Sequence, residues 1–493
     1  MYEDFVTKVQ MKELHQTNNS ADPVKPLFVD LDGTLITSDI LWESFLAFLK
    51  KHPVQAYKIP LWLSKGKAVL KRELAERVTL DVTTLPYNTD IIEFLKNEKE
   101  RGREVILATA TDEKFALKIA EHTQLFSKVL SSNGTINLSG SRKLTAIQSM
   151  TNGIGFDYIG NATVDLPLWA AANRAMVVTS SQNLVRKAEK FTAEQHVFRQ
   201  KNSVLKNLTQ ALRVHQWVKN LLLFVPLFMA HIFSPDLFVD AVLAFFSFSF
   251  CASSVYLLND LLDIESDRVH PRKRKRPFAA GTLSIPLGIA AAPLLLIASF
   301  SIAWLFLPLN FLLLLGFYYA LTTCYSFFLK RIVILDVLVL AGLYTLRIFS
   351  GAMAVDVPVS PWLLAFSTFT FLSLAFVKRY AELKILIEQN KTGNKARGYN
   401  VDDLHFVGSV GPSSGYMAAL VLALYINSAD VVKLYDRPMV LWLAGLCFLY
   451  WITRVWILAH RGQMVDDPII FTFRDKISYM VGAFVFVILL IAM

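Results

Sequence analysis

Only three cysteines, Cys251, Cys324 and Cys447, occur in 493 residues, and all three fall within apolar stretches. They offer neither a disulfide framework nor the spacing of a zinc site, and they read as small core residues. Charged residues are scarce too, at 18%, against 54% hydrophobic residues and a mean hydropathy of +0.41. That balance excludes an ordinary soluble protein and indicates a membrane protein with a soluble part attached. The leading segment, MYEDFVTKVQMKELHQTNNSADPVK, lacks an apolar h-region and a small-residue cleavage site, so nothing in it directs the following domain across a membrane. Basic residues are not interleaved with aromatics as a nucleic-acid platform would require. The net charge of +10 is accounted for by cationic loops beside anionic lipid.

The apolar excess begins at about Leu221, whereas residues 1–200 have ordinary globular composition. The expected division is a polar lead over 1–24, a soluble α/β domain over 25–197, a linker over 198–211 and a polytopic all-α membrane domain over 212–493. In the soluble part, Pro26–Asp30 (PLFVD) reads as a short buried strand followed by the turn LDGTLIT. Asp30 and Asp32 thus stand just beyond a strand's carboxyl end, where an open α/β sheet binds its ligands. Glu104–Ala108 is a second strand ending at Thr109, and Lys143 opens a helix after Leu138–Ser141. Asp157–Ile159 is a third strand, ending in Gly160-Asn161 with Asp165 four residues on. Strands alternating with helices predict a doubly wound parallel sheet. The insertion between Asp39 and Pro86 looks helical, and its centre, IPLWLSKGKAVLK, is both apolar and basic. Such a segment either packs on the sheet as an amphipathic cap or lies on a membrane surface.

In this order the residues resemble the haloacid dehalogenase family of phosphohydrolases, over about 25–195. The resemblance implies that Asp30 is the nucleophile of an aspartyl-phosphate and Asp32 the general acid and base. It also implies that Thr109 and Lys143 hold the phosphoryl group, with Asp30, Asn161 and Asp165 on magnesium. The family usually has Asp where Asn161 stands, and this neutral ligand weakens the expected metal site. An idle N-domain serving as a binding or regulatory module is the alternative.

The membrane part is organised around Asn259–Gly281, NDLLDIESDRVHPRKRKRPFAAG, in which carboxylates directly follow more than twenty mostly apolar residues. Asp260, Asp263 and Asp267 stand three and four apart, so a helix continuing through them would point all three at one spot. Like charges so placed call for a hard cation, and magnesium suits one or two carboxylates plus phosphate oxygens. The cations that follow, including Arg272, Lys273 and Arg276, fit a cytoplasmic loop and equally fit phosphate binding. Upstream, LRVHQWVKN forms a basic, aromatic collar that contains Lys219 and Asn220. Apolar runs follow at about 221–233, 237–258, 285–306, 309–328, 332–349, 362–377, 414–427, 438–458 and 477–493, about nine spans. Basic loops alternate with loops bare of Lys and Arg, except for the connection with Lys433 and Arg437, so the acidic motif and the N-domain are expected on one, cytoplasmic side, with the inner membrane as the expected location.

Six spaced motifs carry a second resemblance: QWVKN, the NDLLDIESD run with its basic tail, YSFFLK, KRYAEL, DDPIIF and a later Asp. Together they resemble the UbiA superfamily of intramembrane transferases. They are most similar to the branch that moves 5-phosphoribose from phosphoribosyl diphosphate to a polyprenyl phosphate. The resemblance implies helices ringing a cavity open to lipid. It assigns substrate contacts to Lys219, Asn220, Asn259, Arg272, Lys273, Arg276, Tyr325, Lys330, Asp336, Arg347, Lys378, Arg379, Glu382, Asp466, Asp467 and Asp475. Where related aromatic prenyltransferases commonly carry a second acidic motif, this chain has Lys378-Arg379-Tyr380-Ala381-Glu382. One acidic metal site facing a cationic one suits two phosphorylated substrates. The alternative is a prenyltransferase acting on an aromatic or other small acceptor.

Overall fold

The computed structural model describes residues 25–191, 195–199, 203–231, 234–389, 393–394, 397–428, 431, 434–464 and 467–493. They fall into two compact units, Met1–Ser203 with Arg268–Lys275 and Ala279–Ile285, and Val204–Asp267 with Arg276–Phe278 and Pro286–Met493.

The first unit is an α/β doubly wound domain. Its strands are β1 Leu27–Val29, β2 Val105–Asp112, β3 Lys128–Ser132, β4 Asp157–Gly160, β5 Ala175–Thr179 and β6 Gln195–Arg199. They form one parallel sheet in the order β3-β2-β1-β4-β5-β6. Helices cover both faces, so β1 is buried on both: Leu27 and Val29 enter one core cluster and Phe28 the other. Because β1 lies between β2 and β4, the carboxyl ends that carry Asp30, Thr109 and Asn161 are neighbours. Strand β2 runs past the expected end at Thr109 to Asp112, through a register shift between Ala108 and Asp112. The sheet also runs past the expected domain edge, since Arg199 of β6 pairs with Thr179, and the expected linker contains the helix Val204–Ala211. The insertion is helical as expected, with helices at Ile40–Lys51, Lys58–Ser64 and Lys67–Arg77. Asp39 caps the first by accepting from Leu41 N at 2.9 Å.

The second unit is helical apart from a two-residue hairpin pair, Gly393–Asn394 with Tyr399–Asn400. Among the described residues seven helices are long and apolar enough to cross a membrane, rather than nine. Lys476–Ala492 is apolar but shorter, and the first expected span is a 3-10 stretch, Val214–Phe224, followed by the short helix Val225–Met229. Pro226, which has no amide hydrogen, sits at that junction. The 3-10 stretch packs so closely on the helix Leu335–Ala354 that a Cβ on Gly351 would lie 2.1 Å from the Leu223 carbonyl oxygen. Close approach here requires glycine. Helix Pro235–Leu262 is the most buried span, lined by Ser247, Ser249, Ser253 and Ser254, small residues that admit neighbouring backbones. Helix Ile285–Phe306, only 17% buried within the protein, presents its apolar surface outward.

Candidate active sites

In the first unit the strand ends assemble a hydrogen-bonded run. Lys143 Nζ donates to Asp30 Oδ1 at 2.7 Å and to the Tyr158 hydroxyl at 3.0 Å, and that hydroxyl donates to Asp165 Oδ1 at 3.0 Å. The other Asp165 oxygen accepts from the amides of Asn161 and Ala162, both at 3.1 Å. Asp32 accepts from Ile40 N at 2.8 Å and from the Thr111 hydroxyl at 2.7 Å, while buried Thr109 accepts from Thr111 N. Asn161 lies over the DLDG turn, where a Cβ on Gly33 (φ 75°) would meet its Nδ2 at 2.0 Å. Burial, and then the charges of Asp39 and Asp30, push the Asp32 carboxyl up to about 7. Burial and then Asp30 push Asp165 up to about 6. These acids repel one another, and a cation among them would relieve the repulsion.

No group of three or more His, Cys, Asp or Glu among the described residues is arranged to hold a metal. The set that the haloacid dehalogenase resemblance implies, Asp30, Asp165 and Asn161, has two carboxylates and one amide. Oxygen donors of that number suit magnesium, which keeps waters or phosphate oxygens in its remaining positions.

The acidic motif of the second unit differs from the expected single helix. Helix Pro235–Leu262 ends with Asp263 as its C-cap, and a new short helix runs over Ile264–Val269. Asp260 and Asp267 are 3% and 1% exposed and converge on one guanidinium: Arg276 Nη1 reaches Asp260 Oδ1 at 3.1 Å and Asp267 Oδ2 at 2.6 Å. Arg213 Nη2 reaches the same Asp260 oxygen at 2.5 Å, and its guanidinium lies 4.8 Å from the Tyr256 ring. Asp263, half-buried at the helix break, is not one of the carboxylates paired with Arg276. Two acids and two arginines thus neutralise each other, a pair of oxygen donors that a divalent ion can replace the arginines on.

A cationic group stands elsewhere in the same unit. Lys219 Nζ and Lys378 Nζ lie 3.0 and 3.2 Å from one oxygen of Asp467, leaving a net positive charge. Neighbouring Asn220 donates to Ser249 at 2.9 Å and accepts from Arg347 Nε at 2.9 Å. Arg347 is 5% exposed and also donates to the Leu343 carbonyl and the Tyr318 hydroxyl, with aromatic rings at 5.2 to 5.5 Å. No described carboxylate pairs with it. The two cations of the Lys378-Arg379 pair have different surroundings. Arg379 is 1% exposed, with Nε on Asp336 at 2.6 Å, Nη1 on Glu382 and Nη2 3.4 Å from the Tyr325 hydroxyl.

A model of the UbiA prenyltransferase family matches residues 221–474. The chain belongs to that family. The UbiA chain is 36% identical over 93% of its length to an uncharacterised protein, y4nM, of Sinorhizobium fredii, covering 89% of that protein. It is also 32% identical to the decaprenyl-phosphate phosphoribosyltransferase of Mycolicibacterium smegmatis, over 56% of this chain and 88% of that one. Among solved structures, a UbiA homolog from Archaeoglobus fulgidus bound to GPP and Mg2+ aligns at 17% identity and TM-score 0.44, over 58% of this chain and all of that one. The protein is therefore a UbiA-family integral membrane protein, and its N-terminal unit is haloacid dehalogenase-like in motif order and sheet.

Several expected UbiA site residues lie outside these groups. Arg272 and Lys273 are exposed, their amides donating to His270 Nδ1, and Lys330 is half-buried. Asn259 donates to Ser326 at 2.9 Å, beside Tyr325. Asp475 is held by Arg454 at 2.7 and 3.0 Å and caps helix Lys476–Ala492 through Ser478 N, which makes it a helix cap rather than a member of the Asp467 group. Asp466 falls outside the described residues. Sequence reasoning missed Arg213, Tyr158 and Lys71. The cap's Lys71 donates to the Ala110 carbonyl at 2.6 Å and to Asn137 at 3.0 Å. Burial lowers its pKa, against the pull of Asp32 and Asp39. A lysine alone on an amphipathic helix carries no signal of such a position.

Proposed function

We propose that the membrane half transfers 5-phosphoribose from phosphoribosyl diphosphate to a polyprenyl phosphate, and that the N-terminal half removes the 5-phosphate from the product. The observation that carries this reading is the Lys219–Asp467–Lys378 group, a cationic site where a second acidic metal site would serve a different chemistry. Asp260 and Asp267 would hold magnesium, which supplies neutralisation of the departing diphosphate. Lys219 and Lys378 would hold the lipid phosphate, which is already anionic and needs no general base. The likeness to the Mycolicibacterium smegmatis decaprenyl-phosphate phosphoribosyltransferase supports a polyprenyl phosphate acceptor and a phosphoribosyl group as what is moved. An apolar cavity of about 700 Å³, lined by Met229, Val357, Trp362, Phe366 and Leu422 among others, offers room for an isoprenoid chain. Along helix Pro361–Glu388 its residues Pro361 and Phe366 lie about 18 to 25 Å from Lys378 at 1.5 Å per residue. A covalent connection between the two halves would present the phosphorylated product to the phosphatase at raised effective concentration.

The cationic pair tests the reading. Lys378→Ala is expected to raise the KM for polyprenyl phosphate about tenfold or more, with little change for phosphoribosyl diphosphate, because one charged hydrogen bond contributes about 1.5 to 3 kcal/mol. Equal effects on both substrates would sink the assignment and favour prenyl diphosphate as donor. Arg379→Ala is expected to act on stability, by about 3 to 5 kcal/mol, since it leaves buried Asp336 without its guanidinium. A thermal melt unchanged by that substitution would make Arg379 a substrate ligand after all.

Arg213 provides a second check. It shares Asp260 with the proposed ion and then faces the diphosphate, so Arg213→Ala should tighten manganese binding measured alone and weaken it in the presence of inorganic diphosphate, each by roughly tenfold. Electron paramagnetic resonance of Mn2+ reads both constants. Changes of the same sign would show that Arg213 neither competes with the metal nor meets the diphosphate.

A further inference from the structure

Between Ser44 and Arg72 the chain has six lysines and one arginine and no Asp or Glu. The middle of that stretch is the second cap helix, Lys58–Ser64, with the turn before it. Trp62 anchors the helix, 7% exposed, its ring 5.3 Å from Phe48 and 4.8 Å from the Arg77 guanidinium. With Trp62 turned inward, its neighbours Leu61 and Leu63 point out. Val54 is 85% exposed, Tyr57 64%, Leu61 57% and Leu63 49%. Lys51, Lys65 and Lys67, at the edges of the same segment, are exposed as well. Single exposed apolar residues are ordinary, but four within ten positions, edged by cations and free of acids, are not a soluble surface.

We propose that this face of the cap is a membrane-docking surface, with Val54, Tyr57, Leu61 and Leu63 entering the headgroup region and the lysines resting on anionic lipid phosphates. Two independent features point to a bilayer. Apolar side chains gain by leaving water, and lysines gain beside an anionic leaflet, an attraction that falls off within a Debye length. A protein partner of complementary charge would have to be acidic and greasy at once. The bilayer is present in any case, because the other half of the chain is an integral membrane protein. Docked in this way, the cap would meet a phosphorylated group borne on a lipid at the bilayer surface, in preference to a soluble phosphate ester. The inference does not depend on which sugar or prenyl group the membrane half transfers.

The test uses the full chain in lipid nanodiscs, with a photoreactive benzophenone side chain placed at Leu61 or, as control, at exposed Lys187. Irradiation in discs of mixed phosphatidylglycerol and phosphatidylcholine is expected to give a lipid adduct at 61 and none at 187, read by mass spectrometry. The adduct should fall at least threefold in pure phosphatidylcholine, and equally in the Lys51→Glu, Lys65→Glu, Lys67→Glu variant in mixed discs. Adducts at 61 that join protein to protein would overturn the proposal in favour of a second copy. Equal lipid labelling at 61 and 187, or labelling indifferent to lipid charge and to the lysines, would overturn it as well.

Discussion

Asp260→Ala and Asp267→Ala are each expected to lower transferase turnover on the order of 10² to 10³-fold while leaving the folded protein nearly as stable as wild type. The loss in rate follows from removing one of two buried oxygen donors from the proposed ion, and with it the group that stabilises a leaving diphosphate. The small change in stability follows from the arginines. Arg213 and Arg276 are 23% and 27% exposed, so a guanidinium that loses its carboxylate can turn to water instead of remaining buried and unpaired. Asp263→Ala is expected to differ from these two, because Asp263 sits at the helix break rather than on Arg276. Its turnover should stay near wild type at limiting as well as saturating magnesium. Turnover measured across a magnesium titration, beside a thermal melt, separates these outcomes. If Asp260→Ala or Asp267→Ala keeps near-wild-type turnover at limiting magnesium, that residue is not a ligand.

Asp30→Asn should suppress phosphate release at least about 10³-fold and cause the lipid product to accumulate with its 5-phosphate. The amide oxygen can still accept from Lys143, which now lies 2.7 Å from Asp30 Oδ1, so the hydrogen-bonded run through Tyr158 to Asp165 is kept. What is lost is the nucleophile. The membrane half is unaltered, so consumption of phosphoribosyl diphosphate and release of diphosphate should match wild type. Asn161, lying over Gly33 where related enzymes usually have an acid, gives the experiment its second outcome. Phosphate release identical in variant and wild type would mean that the N-terminal half does not act in series with the transferase.

Where candidate sites were legible in the sequence, they were carried by residues close together in the chain. DLDGT at the end of β1 and the Asp260–Asp267 run each mark a candidate site through local spacing, and Asp30, Asp260 and Asp267 are buried in the folded protein. Long-range pairing was not legible. Arg379 and Asp336 are 43 residues apart, so nothing in KRYAEL reveals that its arginine is consumed in a buried ion pair while its lysine faces Asp467. Arg213 and Asp260 are 47 residues apart, and the left-handed backbone at Arg213 (φ 51°) leaves no trace in composition. Hydropathy found the long spans, but the start of the first apolar run gave no sign of its winding: up to Phe224 it is a 3-10 stretch against Gly351, and Val225–Met229 is a short α-helix. Strand β6, QHVFR, is a half-exposed edge with no apolar run, and an edge strand of that kind resembles a linker by composition.

The most direct test of the central claim is mass spectrometry of lipids after the purified protein is incubated with magnesium, phosphoribosyl diphosphate and polyprenyl phosphate. Wild type is expected to yield polyprenyl-phosphate-linked ribose, and the Asp30→Asn variant the same lipid heavier by one phosphate. No pentose-bearing lipid from either protein, together with transfer of a prenyl group from prenyl diphosphate to a small acceptor, would contradict it.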